Sequence, residues 1–274
     1  MIRASSGGRR YLDLSGVPLA LLGLLLFCFL AAPLVLLEQN LSGRDIATTL
    51  RDPQTRAAIM TSLGTATATT AITSVFGVPL AYLLARFRFP GRTLISVFVY
   101  LPLVLPPVSA GILLLVLYGP YGTIGQLLAP RGLTFVDSSS GIVLAQIFVA
   151  APFAIVAARS AFEGLDREYE EAAASMGGTL WQIFWHVAVP MCRRGIAAGL
   201  ILCWMRALGE FGATVILAYH PYSLPVLNYV NLSSTGLTEA LPLALIALVL
   251  AGAVLLALFL LERIDWGTRL TQSR

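Results

Sequence analysis

A chain of 274 residues that is 57% apolar and only 12% charged, with a net charge of +4, is too hydrophobic for an ordinary soluble globule. All 18 basic residues are arginine. This excludes a P-loop nucleotide site, whose G-x4-G-K-[ST] signature needs a lysine on the β/γ-phosphates. The three cysteines and two histidines show no metal-ligand spacing, so no metal, cofactor or disulfide framework is expected.

A hydrocarbon core of roughly 30 Å takes about 20 helical residues. Six stretches meet that length: Val17–Leu37, Ala57–Leu84, Leu94–Tyr118, Gly141–Ala161, Gly195–Tyr219 and Leu241–Leu261. They predict an all-α, polytopic membrane protein with six transmembrane helices and no soluble domain. The economical partition has three parts. Residues 1–56 form a tail, a first helix and an outer loop; residues 57–262 form the core; residues 263–274 form a second tail. Arg9-Arg10 ahead of the first apolar run has the look of a secretory signal, but the run is too long and no A-x-A site follows, so an uncleaved anchor is expected.

The second stretch carries Thr61, Thr65, Thr69 and Thr73 at four-residue spacing, one face of a helix. Such a face of small, weakly polar groups either packs closely against another helix or lines a pathway. Gly77-Val-Pro79 is expected to interrupt this second span, and Leu101-Pro-Leu-Val-Leu-Pro-Pro107 the third.

Between the fourth and fifth stretches lies the longest polar segment. Asp166 is placed to cap a short helix starting near Arg167, and Gly177-Gly178 to end it with a turn. A second helix, Thr179–Val187, is predicted to stop at Pro190. Trp181, Phe184 and Trp185 give it an apolar face. A hairpin of this kind either inserts into a partner's groove or lies at the lipid interface.

The fifth stretch holds Arg206 and Glu210, four apart and so able to pair on one helix face. Charge inside a span is costly and turns to the bundle interior or a cavity. The pair is either a structural lock or a border of a pathway for an anion. Gly209, Gly212 and Ala213 leave room for another helix or a second subunit to approach.

With six spans and the N-terminus inside, inner segments carry thirteen arginines: 3, 9, 10, 86, 88, 92, 159, 167, 193, 194, 263, 269 and 274. Outer segments carry four, at 44, 51, 56 and 131. The positive-inside rule then predicts a cytoplasmic-membrane protein with both termini and the 164–190 loop in the cytoplasm. The positive charge belongs to that rim and does not imply nucleic acid.

Glu171, Ala172, Ala173, Gly177, Val187, Val189 and Pro190 fall at the offsets E-A-A-x3-G-x9-Φ-x-Φ-P, where Φ is aliphatic. This segment resembles the loop by which membrane subunits of ABC importers dock onto their ATPase subunits. The resemblance widens with Pro79-Leu-Ala-Tyr-Leu-Leu-Ala85, Phe89-Pro-Gly-Arg92, the proline run 101–107 and Arg206–Thr214. Over about residues 57–262 the chain resembles the permease subunits of molybdate or tungstate ABC importers, which are similar to the sulfate/thiosulfate permeases. Ala218-Tyr-His-Pro leans toward the molybdate/tungstate branch.

That resemblance implies the type I ABC importer permease fold and a subunit with no ATPase site of its own. Its partners would be ABC ATPase subunits, a second copy of itself in a homodimer, an extracytoplasmic oxyanion-binding protein and membrane lipid. Some members carry a further substrate-binding domain inside the cell; with eight residues after Trp266, none is expected here. A secondary carrier would need ionisable groups in several spans, and only Arg206 and Glu210 qualify. A non-transporting scaffold would leave the Glu171 loop unexplained.

Overall fold

Proline, glycine and the need to satisfy every backbone group inside a membrane decide where these helices begin, break and end. The structure, a computed structural model, describes residues 17–39 and 43–270, and these form helices joined by turns, with no strand among them. Arg3, Arg9, Arg10 and Arg274, with the rest of residues 1–16 and 271–274, lie outside the described residues.

Helix α1 (Val17–Gln39) occupies the first predicted span, and a short helix α2 (Gly43–Arg51) follows. Helix α3 (Pro53–Arg86) starts at a strong signal. The Asp52 carboxylate accepts the Thr55 N–H at 2.8 Å and the Thr55 hydroxyl at 3.0 Å, with Pro53 in the first turn. Contrary to the expectation from Gly77-Val-Pro79, α3 runs through both residues unbroken. A Cβ on Gly77 would lie 3.1 Å from Ile155 Cγ1, so this glycine serves packing.

The predicted third span is two helices, α4 (Arg92–Val104) and α5 (Pro107–Tyr118). Leu105 and Pro106 between them are extended, with ψ of 132° each. Two consecutive prolines supply no N–H, and each disfavours helix in the residue before it. Pro102, by contrast, sits inside α4. After α5 come α6 (Thr123–Leu128) and a 3-10 turn (Ala129–Arg131), bent 43° from α5.

Helix α7 (Ser139–Glu163) is capped by Ser138, whose hydroxyl accepts the Gly141 N–H at 3.1 Å. Then follow α8 (Glu168–Ser175), α9 (Leu180–Ile183), a π-helical stretch (Phe184–Ala188) and α10 (Val189–Leu208). The predicted fifth span is also broken: α10 ends at Leu208 and α11 (Gly212–Leu217) starts after a three-residue gap. Helix α12 (Leu224–Ser234) lies where no element was predicted, because its mix of Asn, Ser and Leu gives no long apolar run. Helix α13 (Leu237–Leu270) continues eight residues past the predicted end of the core. Among the described residues, four helices are long and apolar enough to cross a membrane unaided: α3, α7, the continuous run Leu180–Leu208, and α13; the bent α5–α6 pair makes a fifth when counted as one span.

Helix α7 is the hub, packed on α3, α10 and α11. Lipid tails offer helices no hydrophobic drive to associate, so close approach by small residues takes over. A Cβ on Gly199 would fall 2.8 Å from Ala157 Cβ and 3.1 Å from Ala154 O; one on Gly195 would fall 2.5 Å from Ala161 Cβ. Buried Ala66, Ala150, Ala154, Cys203 and Ala207 continue this thin seam. Gly199→Val is therefore expected to overpack the α7–α10 seam and cost about 1–3 kcal/mol, read as a lower melting temperature of the detergent-solubilised protein. Gly252→Ala, with nothing within 4 Å of the added carbon, is the control and should leave the melting temperature unchanged or slightly raised.

Candidate functional site

The 164–190 segment forms the hairpin its motif suggested. Asp166 Oδ1 accepts the Glu168 N–H at 3.2 Å at the start of α8, and Glu168, Glu170 and Glu171 fill the first turn, where the helix dipole favours acids. Helix α8 closes with a Schellman turn. The Gly178 N–H bonds Ala173 O at 3.0 Å and the Gly177 N–H bonds Ala174 O at 2.9 Å, with Gly177 at φ +88°. That φ suits only glycine comfortably. Gly178 is needed as well, since a Cβ there would lie 2.9 Å from Ala173 O. Next, Thr179 and Gln182 form a capping box that starts α9.

Helix α9 does not stop at Pro190. It passes into the π-helical stretch, where the Val189 N–H reaches back to Phe184 O, and continues as α10 with Pro190 in its first turn. The widened π turn absorbs the donor that proline lacks, so the hairpin's second arm and α10 are one continuous helix.

Glu171 and Ala172 are exposed, Ala173 is half-buried, and Gly177 is exposed at the tip. Val187 and Val189 are half-buried and Pro190 is exposed. The three aromatics separate. Phe184 is 3% exposed and packs on Tyr82 and Phe162 at ring distances of 5.0 and 6.3 Å. Trp181 is 66% exposed and Met176 84%, with Tyr169, Leu180 and Trp185 also open. The hairpin is thus anchored by one ring and presents an apolar surface with the others.

Sequence reasoning missed a second anchor. The Arg86 guanidinium, in the last turn of α3, lies 2.7 Å (Nε) from Glu170 Oε2, with the side chains 7% and 12% exposed. Its Nη2 donates to Leu165 O at 2.9 Å. Nothing in the local pattern around residue 170 separates it from Glu168 or Glu171.

At the middle of the bundle, Arg206 and Glu210 pair at 2.5 Å (Nη1–Oε2). They do so across the end of α10 instead of along one helix face, since Glu210 lies in the break. Glu210 is 1% exposed, and its Oε1 accepts the Ala213 N–H of α11 at 2.7 Å. The approaching helix that Gly212 and Ala213 left room for is α5. A Cβ on Gly212 would sit 2.7 Å from Pro107 Cβ, and one on Gly111 2.9 Å from Ala213 Cα. The two breaks therefore lie against each other.

Thr65, Thr69 and Thr73 are buried and Thr61 is half-buried. Gln146, a lone amide in the apolar α7, gathers two of them, Thr65 and Thr69. It accepts from Thr69 Oγ1 at 2.9 Å and donates to Thr65 Oγ1 at 3.2 Å and to Ala207 O at 3.0 Å. Thr65 itself donates to Thr61 O at 2.8 Å. Three helices meet on this one side chain, one turn before the α10–α11 break. Its sequence signal was an amide isolated in an apolar span.

A sequence profile described as the inner membrane component of binding-protein-dependent transport systems matches residues 77–269. The chain belongs to this family. It is 45% identical, over 88% of each chain, to a probable molybdenum ABC transporter permease protein of Haloferax volcanii. It is 38% identical to the molybdate/tungstate transport system permease protein of Thermococcus kodakarensis, over 83% of this chain and 87% of that one. Among solved structures it is similar in fold to a bacterial alginate ABC transporter, with a TM-score of 0.70, 20% identity, and coverage of 89% of this chain and 91% of that one. The fold is that of the ABC importer permeases, and the protein is a multi-pass membrane transport subunit.

Gln146→Leu should leave Thr69 Oγ1 without its 2.9 Å acceptor and remove the amide donor from Thr65 Oγ1 and Ala207 O inside the bundle. At about 1–3 kcal/mol for a buried polar group left without a partner, the melting temperature in detergent should fall clearly. Thr67→Val, which removes only the exposed bond from Trp204 Nε1 at 3.2 Å, should leave it nearly unchanged.

Proposed function

We propose that this subunit forms the membrane pathway of an ATP-driven importer for an oxyanion, molybdate or tungstate, delivered by an extracytoplasmic binding protein. The observation that carries this reading is the hairpin. Met176 and Trp181 stand open at its outer surface while Phe184 and Arg86 fix its inner side, the arrangement of a part built to be gripped. Its occupant would be an ABC ATPase subunit, with Glu171 offering a charged contact and Gly177 setting the angle between α8 and α9. The arginine distribution supports a cytoplasmic hairpin and cytoplasmic termini. The absence of any lysine supports a subunit that hydrolyses no ATP alone. Two copies side by side would enclose the pathway. The names of the relatives favour molybdate or tungstate; sulfate is the competing substrate within the same chemistry.

The threonine face acts in packing on this reading, because Gln146 takes up the Thr69 and Thr65 hydroxyls. Arg206 and Glu210 act first as structure, because Glu210 also caps α11. Uptake of labelled molybdate, tungstate and sulfate in cells lacking their own systems tests the substrate. Molybdate or tungstate should accumulate when this chain, its ATPase and its binding protein are expressed together, and uptake of sulfate alone would overturn the assignment. Gly177→Glu should abolish uptake with the protein still in the membrane, since a bulky charge at φ +88° re-aims α9.

Breaking the ion pair tests its role. Arg206→Met alone should lower membrane abundance most, because it leaves the buried Glu210 uncompensated at about 3–5 kcal/mol. Glu210→Gln alone, which leaves the partly exposed Arg206, should lower it less. The double change should restore much of both abundance and uptake. Restored abundance with no uptake would make Arg206 a pathway residue.

A further inference from the structure

The hairpin is a lever, and a lever transmits force only if it cannot swing. Helix α8 is joined to the rest of the protein through two turns, Gly164–Arg167 before it and Met176–Thr179 after it. A rod held only through the turns at its two ends can still rotate about the line between them. Apolar packing does not stop that rotation. No residue of α8 is buried, and most of its packing is on α9 and the π-helical stretch, which belong to the same hairpin. Its contacts with α3 run through Glu170, which lies beside Tyr82 as well as Arg86.

The third attachment is Arg86. Its Nε sits 2.7 Å from Glu170 Oε2 and its Nη2 donates to Leu165 O at 2.9 Å. One guanidinium therefore grips both α8 and the turn that leads into it. The planar fork suits two acceptors at once, which an ammonium would hold less rigidly. Both side chains are nearly enclosed, so the pair is screened little by water or salt. Arg86 lies in the last turn of α3, where the helix dipole favours a cation. Helix α3 in turn packs along α7 and carries Thr65 and Thr69, which meet Gln146 beside the α10–α11 break.

We infer that Arg86 and Glu170 are positioning residues that lock α8 to the end of α3, so that motion imposed on the hairpin is carried into α3 as well as along α9 into α10. This rests on the hairpin's reading as the ATPase-docking element. Without the pair, α8 would turn about its two end turns, and part of each ATPase stroke would be spent on that rotation.

The test uses the whole complex in liposomes: this chain, its ATPase subunits and the binding protein loaded with molybdate. Two quantities are read, the molybdate imported per ATP hydrolysed and the hydrogen exchange of residues 165–178. Glu170→Gln keeps shape and size, so the complex should assemble. It should import at least threefold less molybdate per ATP, with faster exchange confined to α8 and its flanking turns. Arg86→Lys should fall between the two, and the reversal Arg86→Glu with Glu170→Arg should recover part of the loss.

A merely structural role would lower the amount of assembled complex and leave the ratio per ATP unchanged; that result would overturn the inference. So would Glu170→Gln with unchanged exchange in α8. If the unaltered chain fails to associate with the ATPase or to import, the docking reading itself fails, and that outcome is visible before any variant is made. If Glu170→Gln does not assemble, Arg86→Lys supplies the same two readings, and an unchanged ratio there counts against the lock.

Discussion

A carboxylate buried in the α10–α11 break, that of Glu210, is the constraint on which the broken part of this bundle depends. Inside lipid no water satisfies a backbone group, so a helix can break only where the protein supplies the missing partners. The gap between Leu208 and Gly212 is such a break. Glu210 closes it by accepting the Ala213 N–H, Gln146 covers the Ala207 carbonyl from α7, and Arg206 neutralises the charge that results. A carboxylate this enclosed is tolerable only when paired and hydrogen-bonded. The break at Leu105-Pro106 is easier to hold, because prolines leave no N–H to be satisfied. The two irregular segments then pack together through Gly111 and Gly212, at distances that no Cβ would allow.

The legible parts of the sequence were those whose cause is local. Asp166 as a cap and Gly177-Gly178 as a turn follow from side-chain and φ chemistry confined to a few residues, and both stand where they were expected. The first, second, fourth and sixth apolar stretches found single helices for the same reason, while the third and fifth are broken. The prolines were harder. Pro106-Pro107 divides a span and Pro79 does not, although the local rule treats them alike. Pro190 was read as a stop, yet a π-helical turn just before it lets the helix continue. Such widening depends on how the following helix docks, which no period in the sequence records.

What the sequence concealed was long-range. Arg86 and Glu170 are 84 positions apart in numbering, and Thr69 and Gln146 are 77. Each is an ordinary residue in its own segment and acquires a role only when α3, α7 and the hairpin are packed. Arg206 and Glu210 were visible as a pair through their spacing. Their geometry was not, because the pairing spans a broken helix end where an intact helix face was expected.

Taken together, the hairpin, α3 and the paired breaks describe a route from an exposed apolar tip to the middle of the bundle. In the two-copy assembly proposed above, the most direct test of that route is the distance between the copies at the end opposite the hairpin. Tyr121, 94% exposed in the turn before α6, is a suitable position for a spin label, and pulsed electron–electron resonance reads the label-to-label distance in the assembled transporter. Binding of ATP by the ATPase subunits is expected to widen that distance, and the widening should vanish when Gly177→Glu is also present. A distance that stays the same with and without ATP, in complexes that still import, would contradict coupling through the hairpin.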